Sequence, residues 1–179
     1  MKKCVVGLVA LALVMGGLIL APAPARAADP VKIGALYPLS GALALLGEES
    51  WRGAEIARQL RNKKGGIAGR QIEFVKADIP DVSAARSEAE RLVRREGLKV
   101  LLGSYASSLS LAATEVTARA GGTYFELGGI ADDITKRGYK SVFRTNPYAG
   151  LFVIANFKFI QEWLAPKLGK KPAEVKVAM

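Results

Sequence analysis

The sequence predicts an α/β fold, a doubly wound parallel sheet with helices on both faces. Three observations carry that prediction. Short apolar runs with strand character alternate four times with longer stretches of helical period, an order that calls for parallel strands joined by right-handed crossovers. Glycines close the first two helical stretches, at Gly65-Gly66 and Gly97. Half of the residues are hydrophobic and 23% are charged, which excludes a disordered or low-complexity chain. With 179 residues and no repeat at a fixed period, one domain or slightly more is expected.

Each element has its own signal. Residues 31–39 (VKIGALYPL) begin with a strand. Residues 48–64 set Gly53, Ile56, Ala57 and Leu60 at i, i+3, i+4 and i+7 with charges opposite, which predicts a helix with that face inward. Residues 71–78 (QIEFVKAD) alternate as a strand does. Residues 82–96 place Ala85, Ala89, Leu92 and Val93 on one helical face. A third strand follows at 99–104 (KVLLGS), then a helix at about 108–120 with Leu109, Ala112, Ala113 and Val116 inward. Residues 123–127 (TYFEL) and 141–145 give a fourth and a fifth strand. The stretch 150–168 carries Val153, Phe157, Ile160 and Leu164 on one face and Phe152, Phe159 and Trp163 on another, so it is a helix that expects cover on both. Residues 175–179 (VKVAM) read as a strand that has just begun.

The first 27 residues stand apart. Lys2-Lys3, an apolar run over 5–21 and a Pro-rich end at Ala25-Arg26-Ala27 together predict a secretory signal peptide, cleaved before Ala28. Cys4, the only cysteine, lies ahead of the apolar run and leaves with that peptide. The mature protein is then expected in the periplasm with no disulfide, held by its core alone. Three of the 26 basic residues go with the peptide, and the rest still outnumber the 16 acidic ones. That excess is not a nucleic-acid footprint. Arg52, Arg58, Arg86, Arg91, Arg94 and Arg95 interleave with Glu55, Glu88, Glu90 and Glu96 along helices, as on a solvated face.

The chain has no His, so a Ser-His-Asp triad, a Cys-His pair and a His-ligated metal are excluded. The Gly-rich segment 64–69 follows a helix and precedes a strand, the reverse of a phosphate loop, and reads as a turn. No enzyme activity and no cofactor is expected. In a parallel sheet of this kind ligands bind outside the carboxyl ends of the strands, where the strand order reverses. That nominates Tyr37 to Gly41, Gly103 to Ser108 and Glu126 to Ile130. Ser107 or Ser108 is placed to cap the third helix, and a helix start with free N–H groups and nearby hydroxyls can also hold a carboxylate.

An exported chain that opens VKIGALYPLSG and continues through WRGAEIA, KGGIAGRQIEF, LLGSYASS and TKRGYKSVFRTNP resembles the substrate-binding proteins of branched-chain amino-acid ABC importers. These are type I periplasmic binding proteins of the leucine/isoleucine/valine-binding family. The resemblance runs from about Asp29 to Met179. It implies two α/β lobes joined by a hinge, closing on a small ligand (an amino acid, or a related small acid or amide) and presenting it to a permease of the inner membrane. By position it implies that Ser107 binds the ligand carboxylate, with Tyr105, Ala106 and Ser108 beside it. Gly128, Gly129 and Ile130 match a second ligand loop, and Leu46 a position that packs on the ligand. Tyr37 and Glu126 are further candidates from the strand ends, Glu126 meeting a polar ligand group or facing solvent. Two departures stand out: amino-acid binders usually offer a Thr hydroxyl where Ile130 stands, and often an aromatic where Leu46 stands.

Relatives are roughly twice this long. The chain therefore reads as a signal peptide (1–27), an incomplete N-terminal lobe (28–148) and the truncated start of a second lobe (149–179). The alternative function is the ectodomain of a ligand sensor with the same fold, which would need a membrane segment and an output module.

Overall fold

The computed structural model describes residues 29–177; the expected signal peptide and residues 178–179 lie outside the described residues. Five strands form one parallel sheet: β1 (Val31–Tyr37), β2 (Ile72–Asp78), β3 (Val100–Gly103), β4 (Thr123–Glu126) and β5 (Val142–Arg144). Their order across the sheet is β2-β1-β3-β4-β5. The chain thus winds outward from β1 in one direction and from β3 in the other, and the reversal falls between these two strands. The register aligns the carboxyl ends. Tyr37 pairs with Asp78, Leu36 with Gly103, Gly103 with Glu126 and Glu126 with Arg144.

Helix α1 (Ala44–Lys63), preceded by a 3-10 turn at Gly41–Leu43, covers one face over β1 and β2. Helices α2 (Val82–Glu90) and α3 (Ser107–Arg119), with the short α4 (Asp133–Lys136), cover the other. α2 starts at Asp81, whose carboxylate accepts from the Ala84 N–H at 2.8 Å, and ends in a π turn over Arg91–Arg95. The core lies on the α2/α3 side. Leu36, Leu92, Leu101, Leu109, Tyr124 and Ile134 are closed to solvent there, and the expected inward residues Ala85, Ala89, Ala112 and Ala113 join them. Every arginine–glutamate pair on the helices, such as Arg52 with Glu49 and Arg91 with Glu88, lies at the surface or half-buried.

The face expected for α1 is reversed. Gly53, Ile56, Ala57 and Leu60 point to solvent, and the helix packs through Trp51, Ala54, Arg58 and Asn62. The reason is local. Trp51 meets Tyr37 edge-on with ring centres 6.1 Å apart and Phe74 at 5.8 Å. Below it Asn62 donates to the Ile72 carbonyl at 2.8 Å and accepts from the Ile72 N–H at 2.7 Å. β2 is an edge strand, and these polar side chains satisfy backbone that no neighbouring strand reaches.

A last helix, α5 (Ala149–Phe159), continues through a π turn at Ile160–Leu164 to Ala165–Lys167. It carries the two apolar faces expected of it and neither is covered: Phe157 is 60% exposed and Trp163 71%. Residues 175–177 are irregular rather than a strand. On the sheet face opposite α2 and α3, Phe125 and Phe143 stack at 5.4 Å and stay open to solvent.

Candidate functional site

The aligned carboxyl ends bring three loops together. The loop after β1 is held down by Asp78, the last residue of β2, which accepts from the Leu39 and Ser40 N–H groups at 2.8 and 3.2 Å. Burial raises the Asp78 pKa, while the Ser40 hydroxyl, the two loop amides and the Lys76 charge lower it, with a net fall. Gly47 of α1 lies directly on the Pro38 carbonyl, where any side chain would collide, and this sets Leu46 beside the end of β1. Leu46 is 40% exposed.

The loop after β3 turns abruptly. Gly103 has φ +133°, a conformation closed to other residues, and a Cβ there would meet the Leu36 carbonyl. Ser104 is fully buried, its hydroxyl 3.0 Å from that of Ser110. The chain then enters α3 at Ser107. The residue in the cap position is Ala106, with no side chain capping the helix, so neither Ser107 nor Ser108 is the cap. The first turn's amides at 107, 108 and 109 therefore precede the first closed bond, from Ser110 N–H to the Ala106 carbonyl at 3.0 Å. Ser108 is exposed; Tyr105, Ala106 and Ser107 are half-buried.

The hydroxyl of Ser107 instead reaches the loop after β4. Its oxygen accepts from Ile130 N–H at 3.2 Å and from Ala131 N–H at 3.1 Å. With both acceptor positions taken, the hydroxyl hydrogen is what Ser107 has left to offer, and it suits an acceptor such as a carboxylate. Gly128 packs on the backbone of Ser104 and Tyr105, and Gly129 on Ser110 and Ile134, so close that a Cβ at either would clash. Ile130 projects outward, 44% exposed.

Glu126 does not face solvent. It is fully buried, and one carboxyl oxygen accepts from Gly128 N–H at 2.8 Å and Gly129 N–H at 2.5 Å. Its other oxygen has no partner, nor do the buried hydroxyls of Tyr37 and Tyr124. Burial pushes the Glu126 pKa up against the pull of the nearby Ser110 hydroxyl and of the Gly128, Gly129 and Ser104 backbone. The Tyr37 and Tyr124 hydroxyls are pushed up as well, first by burial and then by the neighbouring Glu126 charge.

Of the residues singled out from sequence, Ser107, Gly128, Gly129, Ile130 and Tyr105 come together at the mouth between β3 and β4. Tyr37 and Glu126 lie beneath it as buried support. Asp78, Arg144 and Asn146 were not singled out. The last of them donates to the carbonyls of Gly128 and Gly129 at 3.4 and 3.0 Å. A signal existed for two of them, since Asp78 and Arg144 each end a strand.

The model of the family described as periplasmic binding protein matches residues 30–162. The Leu/Ile/Val-binding protein homolog 7 of Brucella suis is 44% identical over 169 residues, 94% of this chain and 42% of that protein. The chain thus spans under half the length of the curated relatives it matches. Among solved structures, the branched-chain amino acid transporter substrate-binding protein LivJ of Streptococcus pneumoniae, in complex with isoleucine, is similar with a TM-score of 0.67 and 28% identity. That match covers 75% of this chain and 39% of the other. A solute-binding protein of an ABC transporter from R. palustris, in complex with benzoate, is similar with a TM-score of 0.66 and 30% identity, over 74% and 37% of the two chains.

Proposed function

Because the chain belongs to the periplasmic binding protein family, we propose that it supplies the N-terminal lobe of an importer's solute-binding component. It captures a small carboxylate, a branched-chain amino acid or a related acid or amide, and hands it to a permease of the inner membrane. The observation that carries this reading is the Ser107 hydroxyl. Two loop amides occupy its oxygen, leaving its hydrogen to donate beside the open amides of α3. A helix start of this kind holds an anion without a basic side chain. The names of the relatives support a binding protein rather than an enzyme. A family of this description works outside the cytoplasm, in keeping with a cleaved signal peptide over 1–27. The lobe boundary proposed at 148/149 fits the way α5 leaves the sheet.

The test is to follow backbone amide shifts by NMR while adding leucine, isoleucine or benzoate. A hydrogen bond to a charged group contributes about 1.5–3 kcal/mol, so Ser107→Ala should weaken binding about tenfold or more. An unchanged affinity in a folded Ser107→Ala variant would remove Ser107 from the site.

A further inference from the structure

The segment 128–131 has no regular secondary structure, yet none of its backbone polar groups is free. Its four successive N–H groups go in pairs to two side chains, Gly128 and Gly129 to Glu126, Ile130 and Ala131 to Ser107. Its four carbonyls are taken in pairs too. Asn146 donates to those of Gly128 and Gly129, and the Arg144 guanidinium to those of Ile130, at 3.2 Å, and Ala131. The Ile130 carbonyl accepts in addition from Ala149 N–H at 2.8 Å. Four side chains from β4, α3, the end of β5 and the loop after it thus stand where a neighbouring strand would otherwise be.

We infer that Glu126, Arg144 and Asn146 are positioning residues which, with Ser107, latch this loop at a fixed height above the start of α3. The inference rests on reading 128–131 as part of the ligand site. It has a consequence for recognition. The latched loop can offer a ligand no free N–H, so what it presents is the Ile130 side chain, and selection on that side works by apolar fit. Glu126 suits its part because it is buried and reaches two amides with one oxygen; a glutamine carbonyl at the same place could accept both.

The experiment is amide hydrogen exchange on the whole chain, native and carrying Glu126→Ala, Glu126→Gln or Asn146→Ala. The latch predicts that amides 128–131 exchange at least tenfold faster in Asn146→Ala and in Glu126→Ala, while residues 112–117 inside α3 keep their protection. Glu126→Gln should restore Gly128 and Gly129. Should Glu126→Ala lose protection throughout, Asn146→Ala decides, since Asn146 is only half-buried. Unchanged exchange at 128–131 in Asn146→Ala, or a glutamine that behaves as alanine, overturns the inference. Sodium benzoate and leucine, added to the native chain, test the ligand reading separately. A latched loop in a chain whose amides 107–109 respond to neither would overturn that reading alone.

Discussion

Glu126 is a carboxyl sealed from water with one oxygen satisfied twice and the other not at all. Burial raises its pKa in the folded chain above the ordinary glutamate value it regains on unfolding. The stability it lends is therefore complete below that ordinary value and is lost as pH rises through the folded one. Each unit of elevation is worth about 1.4 kcal/mol. Glu126→Gln, which cannot ionise, should gain on the native chain in melting temperature between pH 4 and pH 8; a difference flat with pH would contradict this. The contribution of Glu126 could not be read from TYFEL alone. A glutamate ending a strand faces either the loops or the bulk, and only the return of Gly128 and Gly129 over it decides. Ser107 is nominated by its strand-end position and by the resemblance; that its hydroxyl reaches a loop 23 residues on instead of capping α3 is not visible in the sequence. Asn146 was not legible, because the loop it holds lies 17 and 18 residues away.

At the scale of elements, strands and helices fall where the alternating periods put them, within a few residues. Two expectations fail: residues 175–177 form no strand, and α1 turns its other face inward. Apolar spacing favours Ile56 and Leu60, but a single Trp51 wedged against Tyr37 and Phe74 outweighs them, and Asn62 is drawn inward by the open edge of β2. Periodicity counts apolar residues and is blind to backbone that needs a partner. The start of α2 offers a clean check. Asp81 is exposed and its side chain makes one hydrogen bond, from Ala84 N–H. Asp81→Ala should cost about 1 kcal/mol, or about 2–4 °C in melting temperature. A loss no larger than that of a surface Ser83→Ala control would show that the cap contributes nothing.

At the scale of the molecule, one face of the sheet is finished and the other is not. α2, α3 and α4 seal the core side, while Phe125 and Phe143 stay open opposite it and α5 exposes apolar residues all round. Among the described residues no helix is long and apolar enough to cross a membrane. Such a surface drives association in water. Phe157→Lys with Trp163→Glu should shift the chain toward monomer in sedimentation without lowering its melting temperature, and an unchanged distribution would place the sticky surface elsewhere. The same openness bears on binding, for pockets usually enclose most of a small ligand. With the mouth between β3 and β4 open to water, residues 29–177 should hold benzoate or leucine only weakly, at about millimolar concentrations. The proposed role of the α3 start and the Ser107 hydroxyl is to receive an acceptor group together. It is tested most directly by amide NMR during titration of the chain with sodium benzoate and, in parallel, benzylamine, which has the same ring and the opposite charge. Saturable shifts are expected at residues 107–109 with benzoate and none with benzylamine. Equal responses to both, or shifts confined to α5, would contradict that role.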